Sequence, residues 1–489
     1  MRRIWKITMK IDNLTEEPLV FGSGKKSVDP KLGMTLYGPS SLEDGAERQI
    51  IAGIIGTHGS ISQFALMLEK LKHRMNVSGN PEPWKRDFPG IGIKSRLHFD
   101  ILVGKDMMEF IQPEEEKKVL SELSRKQKIL KMRELYDEKF ENLLSTVHPA
   151  PDIIFLPLSK IFIEQTKDPR FGTDKIRYEL RTLQDNKNRT KIPMFDFHHS
   201  LKVIGFKHKV KTQLVMPYTY EMTEAGHQDL ATSFWNFSVA TFYKATGTPW
   251  KLANLDEDTC YVGISFYQDQ DLGSTTMRTS MAHVYLKTGE SQIIRGKGFN
   301  WDYKKSKAPY LDSESAKNIL SDVIELFKNQ KLRKPTRVVV HKSTEFQDEE
   351  MEGFSSAAEG VEVLDLIHIY RRSNVRFFYE NNIYPPLRGT LLTGSGSPAF
   401  LYTTGFIQAL GTYPGTTVPW PLEYAWKKMD SSVSLVAKDI MALTRLDWNN
   451  SDFSRSQPVT ISVSHKVGEI LAESEAKGVK APTSYSYYM

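Results

Sequence analysis

Two kinds of hydrophobic pattern recur along the chain. Short apolar runs bounded by turn residues, Ile50-Ile51-Ala52-Gly53-Ile54-Ile55-Gly56 and Pro151-Asp152-Ile153-Ile154-Phe155-Leu156-Pro157, predict internal strands of a parallel sheet. A strand buried on both faces needs no polar alternation. Elsewhere apolar residues recur every three or four positions and predict helices. Phe64, Met67, Leu68 and Leu71 mark one over 60–75, directly after the first strand. Val119, Leu120, Leu123, Leu130, Leu135, Phe140 and Leu144 mark an amphipathic helix with a solvated face in the highly charged segment 113–145. Strand followed by helix is the start of an α/β domain. Residues 1–50, with Gly, Pro and charge at short intervals, read as a small strand-and-turn segment. The polar stretch 166–192, with Lys175, Arg177, Arg181, Lys187, Arg189 and Lys191, reads as a surface excursion.

The pattern changes near residue 260. Cys260–Tyr267, residues 281–286 and the neighbourhood of Ile293 and Ile294 predict three strands, the last two joined by a hairpin turn at Lys287-Thr288-Gly289-Glu290. A helix follows, N-capped by Ser313 or Ser315 and apolar at Ile319, Leu320, Val323, Ile324 and Phe327. A β-branched strand comes next at 336–340. Three meandering strands, a helix and a further strand is the order of ribonuclease-H-like folds, an order that other α/β domains share.

Composition narrows the class. At 489 residues two domains are expected; 40% of residues are hydrophobic and 25% charged, as in a soluble protein. No run approaches the ~20 apolar residues that span a bilayer, and the N-terminus lacks the apolar stretch of a secretory signal, so no membrane partner is expected. With Cys260 as the single cysteine, neither an internal disulfide nor a cysteine zinc site can form, which suits the cytoplasm. The formal charge is only +6. Its distribution is more telling: Lys202, Lys207, Lys209 and Lys211 lie among His198, His199, Phe206 and His208, a composition suited to gripping a phosphate and stacking a base. A basic surface helix or loop is the plainer reading of that stretch alone. Metalloprotease, nucleophile-elbow and Walker motifs are absent, and Gly394-Ser395-Gly396-Ser397-Pro398 is a weak phosphate cradle.

The spacing extends that reading. His198, then Lys202, then Gln213, then Lys244 in Thr241-Phe242-Tyr243-Lys244-Ala245-Thr246-Gly247-Thr248-Pro249-Trp250 closely resembles the 5′-end pocket of the Argonaute MID domain. Leu36-Tyr37-Gly38-Pro39, Ile54-Ile55-Gly56-Thr57 and Arg86-Asp87-Phe88-Pro89-Gly90 are similar to the same family. Ala442–Asn450 and Gln457-Pro458-Val459-Thr460-Ile461 resemble a PIWI domain, and no segment resembles PAZ. The resemblance is therefore to the short prokaryotic Argonautes. It implies an α/β chain with an N-terminal strand and linker segment (1–50), a Rossmann-like MID domain (51–255) and a ribonuclease-H-like PIWI domain (256–489). It further implies that Lys202 and Lys244 neutralise a guide's 5′ phosphate, that Gln213 donates to it, and that His198 stacks on the first base or adds a donor. The expected partners are a guide RNA, a complementary single-stranded DNA target and an APAZ-bearing effector with a TIR, SIR2-like or nuclease domain, acting in prokaryotic immunity. In some relatives a C-terminal carboxylate helps bind a divalent cation in this pocket. Met489 is the residue for Mg²⁺ on that comparison, a frayed tail being the other reading.

Cleaving PIWI domains hold two metal ions with an acidic tetrad. By resemblance the first acid is replaced by Ser265, the third by Lys342 or Ser343 depending on a one-residue shift, and the fourth position is His465. Glu290 is the candidate second acid; Asp269 and Asp271 lie on the wrong side of the strand end. The expectation is a guide-binding protein that does not cut, with any catalysis in the partner. The alternatives are a metal-dependent guide-directed nuclease using Glu290, His465 and a further acid, and a guide-independent nucleic-acid scaffold.

Overall fold

A computed structural model describes residues 9–42, 47–79, 82–92, 94–171, 175–180, 194–224, 227–268, 276–285, 291–300, 308–370, 373–378 and 385–489. The first part of the chain forms β1 (Lys10–Asn13), β2 (Leu19–Val20), β3 (Lys26–Ser27), α1 (Pro30–Tyr37), β4 (Arg48–Thr57), α2 (His58–Leu71), β5 (Phe99–Leu102) and β6 (Met108–Ile111). It continues through α3 (Pro113–Leu120), α4 (Arg125–Thr146), β7 (Ile153–Pro157), α5 (Lys160–Thr166), β8 (Arg177–Glu179), β9 (Met194–Asp196), α6 (Phe197–Lys207), β10 (Lys211–Val215), α7 (Pro217–Tyr220) and α8 (Leu230–Ala245). A wholly parallel sheet in the order β10-β7-β4-β5, with β6 also paired to β4, forms its centre. β7 is buried along its whole length, as its uninterrupted apolar run requires.

Local chemistry sets the element ends. Residues 1–50 are more structured than their composition suggests: the Asp29 carboxylate accepts the Leu32 N–H at 3.1 Å and Pro30 opens the helix, so α1 stands where turns were expected. The charged segment 113–145 is two helices. Ser124 restarts the second by accepting the Gln127 N–H at 3.2 Å, and Leu123 in the break is 100% exposed.

The second part forms β11 (Lys251–Leu252), β12 (Thr259–Gln268), β13 (Thr276–Tyr285), β14 (Ser291–Asn300), α9 (Ser313–Lys331), β15 (Arg337–Lys342), α10 (Asp348–Ala357), β16 (Val363–Ile369), β17 (Thr390–Thr393), β18 (Ala399–Leu401), β19 (Leu422–Met429), α11 (Val433–Leu443) and α12 (Val459–Ala476). Its nine strands run β1-β17-β18-β19-β16-β15-β12-β13-β14. β12, β13 and β14 meander antiparallel, then α9 crosses to β15, which pairs parallel to β12, the ribonuclease-H-like order. The cap of α9 is Asp312, accepting the Ser315 N–H at 2.7 Å, rather than Ser313 or Ser315. The turn at 287–290 lies outside the described residues.

The two sheets are not separate bodies. β1 pairs with β17 as the outermost strand of the second sheet, and β2 pairs with β3 and β11. The Glu16 carboxylate bridges two fully buried guanidiniums, Arg388 at 2.7 Å and Arg445 at 3.1 Å. One apolar core runs from α2 and α8 into α11 and α12, and Tyr243 stacks on Trp448 with ring centroids 4.6 Å apart. No helix among the described residues is long and apolar enough to cross a membrane.

The closest backbone approach in the second sheet lies under α12. A Cβ at Gly263 would sit 2.0 Å from the Thr460 carbonyl oxygen and 2.7 Å from its carbon, so the helix rests directly on β12. Gly263→Ala is expected to push α12 off the sheet and lower the unfolding free energy by at least ~1–3 kcal/mol, the usual range for overpacking. Urea denaturation checks this, and an unchanged midpoint would show that α12 has room to give.

Candidate functional site

The structure brings His198, Lys202, Gln213, Lys244 and Met489 together. Asp196 starts α6 by accepting the His198 N–H at 2.9 Å and is held from behind by Arg177. One turn on, Lys202 is 1% exposed rather than part of a basic surface helix, because α6 packs that side against β10, α12 and the chain's last residues. Its ammonium donates to the Thr212 carbonyl and to the main-chain oxygen of Met489. Lys244, near the end of α8 and 2% exposed, donates to Gln213 Oε1, while the Gln213 amide donates to the Leu214 carbonyl at 2.8 Å. Among the described residues neither lysine has an acidic side chain against it, and each hydrogen-bonds the other.

Two amines in one dry place cannot both hold a proton cheaply. Burial pushes Lys244 down to about 7. Burial, and then the neighbouring Lys244, push Lys202 well below its ordinary value. The His198 ring stands open to solvent at the mouth. The walls around its other sides, and then the Lys202 charge, lower its pKa as well.

His198, Gln213, Lys244 and Met489 line a cavity of about 780 Å³ built from both halves of the chain, and Lys202 lies buried behind that lining. Leu158 and Met216 follow the C-terminal ends of β7 and β10, where open parallel sheets take ligands. Ser462, Lys466 and Glu469 of α12 form the opposite wall, with Asp447, Asn449 and Arg455 beside them. Arg455 is tied to Asp447 and Asp452, each at 3.1 Å, and Arg177 to Asp196 and Glu469. Lys175 and Lys466 are exposed at the rim, with no ion-pair partner among the described residues. The Ser462 hydroxyl is buried and unpaired. Lys175 and Arg177 were legible only as members of a polar stretch. Arg455, Ser462 and Lys466 carried no local signal, since they reach the cavity from more than 200 positions beyond α6.

The oxygens near Met489 do not suit a divalent cation. Mg²⁺ demands near-octahedral oxygen ligation, but the Met489 oxygen already faces the Lys202 amine and Gln213 Oε1 faces that of Lys244. Asp196, His198 and His199 bring potential ligand atoms within 4.8 Å of one another. Both Asp196 oxygens there are engaged, by the His198 N–H and by Arg177.

The positions aligned with an acidic tetrad are only partly in view. Ser265 is buried on the α12 side of β12, its hydroxyl donating to the Ser464 carbonyl at 2.8 Å. On β15 the pleat sends His341 to that same side, 2.8 Å from the Thr460 hydroxyl. Lys342 points to the opposite side, where it is fully buried against Glu350 and stacked over Phe346. Ser343 follows the end of β15, beyond the strand whose alternation would orient it. Lys342 therefore stabilises α10 through the Glu350 capping box and does not repel ions at the Ser265 face. The side chain of His465 and residues Glu290, Asp269 and Asp271 lie outside the described residues.

No protein-family model and no curated protein matches the chain. Solved structures do. A Clostridium butyricum Argonaute bound to a guide DNA and a 19-mer target DNA matches with a TM-score of 0.63 and 13% identity, over 95% of this chain and 53% of that one. Marinitoga piezophila Argonaute, in complex with a 5′-OH guide RNA, gives 0.59 and 12%, over 98% and 59%. Argonaute from A. aeolicus gives 0.57 and 15%, over 96% and 53%. The chain thus spans a little over half the length of the proteins it matches. At such identities the likeness is one of fold, and on it the chain has the α/β fold of the Argonaute proteins, a Rossmann-like MID domain joined to a ribonuclease-H-like PIWI domain.

Proposed function

We propose that this chain holds a short guide strand by its 5′ phosphate on Lys202 and Lys244 and offers the following nucleotides for pairing with a complementary strand. The observation that carries the reading is the pair of buried lysines with no acidic side chain against them. A phosphate bearing nearly two negative charges supplies the missing counter-charge, and compact ammonium donors suit it. The unpaired Ser462 hydroxyl lines the same cavity. His198, open at the mouth, is placed to stack on the first base. The Marinitoga relative carries a 5′-OH guide, so end chemistry varies within this fold and is read here from the lysines. Base pairing then supplies sequence specificity and the protein supplies backbone grip. An RNA guide and a DNA target are the pairing we adopt.

The rest of the reading follows the family resemblance. The chain itself does not cut: Ser265 and Ser343 offer hydroxyls where charged bridging ligands are needed, and Ser265 is committed to the α12 backbone. Target binding instead activates an APAZ-bearing partner whose TIR, SIR2-like or nuclease domain acts in immunity. We take the 1–50 segment and residues 370–425 as contributors to that contact, and they carry exposed apolar residues: Ile11 (50% exposed), Phe378 (73%) and Trp420 (46%).

Three outcomes are expected. Lys244→Met removes a buried amine, so the free protein should become more stable to urea while the preference for 5′-phosphate over 5′-hydroxyl strands disappears; a purely structural lysine would show lower stability and unchanged preference. Phosphate affinity should fall as pH rises through about 7, where the buried Lys244 loses its proton, by up to ~10-fold per unit for one linked proton. Because that pKa is depressed, the unfolded chain binds more protons between about 7 and the ordinary lysine value of 10.5, so the stability of the free protein should rise over the same range. Fluorescence anisotropy and denaturation at matched ionic strength check the two trends, and a flat affinity profile would remove Lys244 from the phosphate site. Finally, guide, labelled target and Mg²⁺ or Mn²⁺ with the purified chain should give no specific cuts. Cleavage at one position would favour the nuclease alternative.

A further inference from the structure

Resting on the phosphate reading above, we propose that this pocket clamps the 5′ phosphate without a divalent cation, the ammonium groups of Lys202 and Lys244 standing where such a cation would have to bind. Two residues of the cavity floor carry oxygens beside the lysines, Met489 with its main-chain oxygen and Gln213 with Oε1, and the Thr212 carbonyl lies behind them. Each of the three already accepts a hydrogen bond from a lysine, those of Thr212 and Met489 from Lys202 and that of Gln213 from Lys244. A hard cation at any of them would have to evict an ammonium group from a buried place and then bear its repulsion at close range.

Charge balance leads the same way. Two ammonium groups match a phosphate of nearly two negative charges, and Lys175 and Lys466 at the rim leave the surroundings positive rather than negative. A divalent ion would add positive charge beside two lysines and a rim that already carries Lys175 and Lys466. The one group of potential metal-ligating side chains nearby, among the described residues, offers no refuge for it. Asp196 is the only carboxylate in that group, and Arg177 together with the His198 N–H engages both of its oxygens.

The test uses the full chain and one fluorescent single strand carrying either a 5′ phosphate or a 5′ hydroxyl, made as RNA and as DNA, at matched ionic strength in EDTA and in Mg²⁺ or Mn²⁺. The expected result is a phosphate-to-hydroxyl affinity ratio of at least ~10-fold in EDTA, which corresponds to about 1.4 kcal/mol, changed less than about twofold by either metal. A ratio that collapses to near one in EDTA and returns with Mg²⁺ or Mn²⁺ overturns the metal-free clamp while leaving the phosphate reading intact. A ratio near one in every medium overturns both. Lys202→Met, with its fold checked by circular dichroism, supplies the second measurement. Loss of the ratio in EDTA supports the clamp. A ratio retained in EDTA would show that Lys202 does not carry the phosphate and would overturn it.

Discussion

Gly263 has no side chain, and for that reason the backbone of α12 lies directly on β12 at Thr460. That contact sets the height of the helix above the second sheet. The turns that follow then face two ways. Ser464 takes the Ser265 hydroxyl and closes the face on which a tetrad would stand, while Ser462, Lys466 and Glu469 become the far wall of the cavity over Lys244. One close approach thus seals one pocket and completes the other. Lifting the helix would admit water to both lysines and remove the desolvation that depresses them.

The electrostatics of the cavity depend on that dryness. Two neighbouring ammonium groups in contact with water would repel weakly and keep ordinary pKa values. Buried by α6, α8, β10 and the chain's last residues, they share a hydrogen bond, and at least one gives up its proton readily near neutrality. Lysine suits such a place better than arginine, whose guanidinium stays charged in any surroundings and could not relax when the site is empty. The free pocket is accordingly held in a less favourable state that an anion relieves, which is how a binding site stores selectivity for charge.

The buried pair of Lys342 and Glu350 shows the opposite use of a lysine. Its counter-ion is built in. Glu350 also accepts the Leu311 and Gln347 N–H groups at 3.0 and 2.9 Å, so the pair joins β15, α10 and the entry to α9. Such pairs gain little net stability over apolar packing but punish the loss of either partner. The contrast with Lys202 and Lys244, which lack a carboxylate side chain, is the ground on which we propose that those two are directed at a ligand.

Local sequence was enough to determine the period of each element and hence much of the fold. The apolar run at 153–157 could only be an internal strand, and the meander from Cys260 followed by an amphipathic helix announced the second sheet. The order of His198, Lys202, Gln213 and Lys244 picked out four residues that the fold brings together, three of them in the lining of one cavity. What it could not carry were facts about long-range approach. The burial of Lys202, the side of β15 to which Lys342 points, and the contributions of Arg455, Ser462 and Lys466 depend on which surfaces meet. Pleat register decides which side of a sheet a residue joins, and a one-residue shift inverts it. Desolvation is a property of the assembled neighbours rather than of the residue. The same lysine that reads as a surface charge in the chain becomes, once α6, β10 and α12 pack around it, a buried amine with no acidic side chain against it.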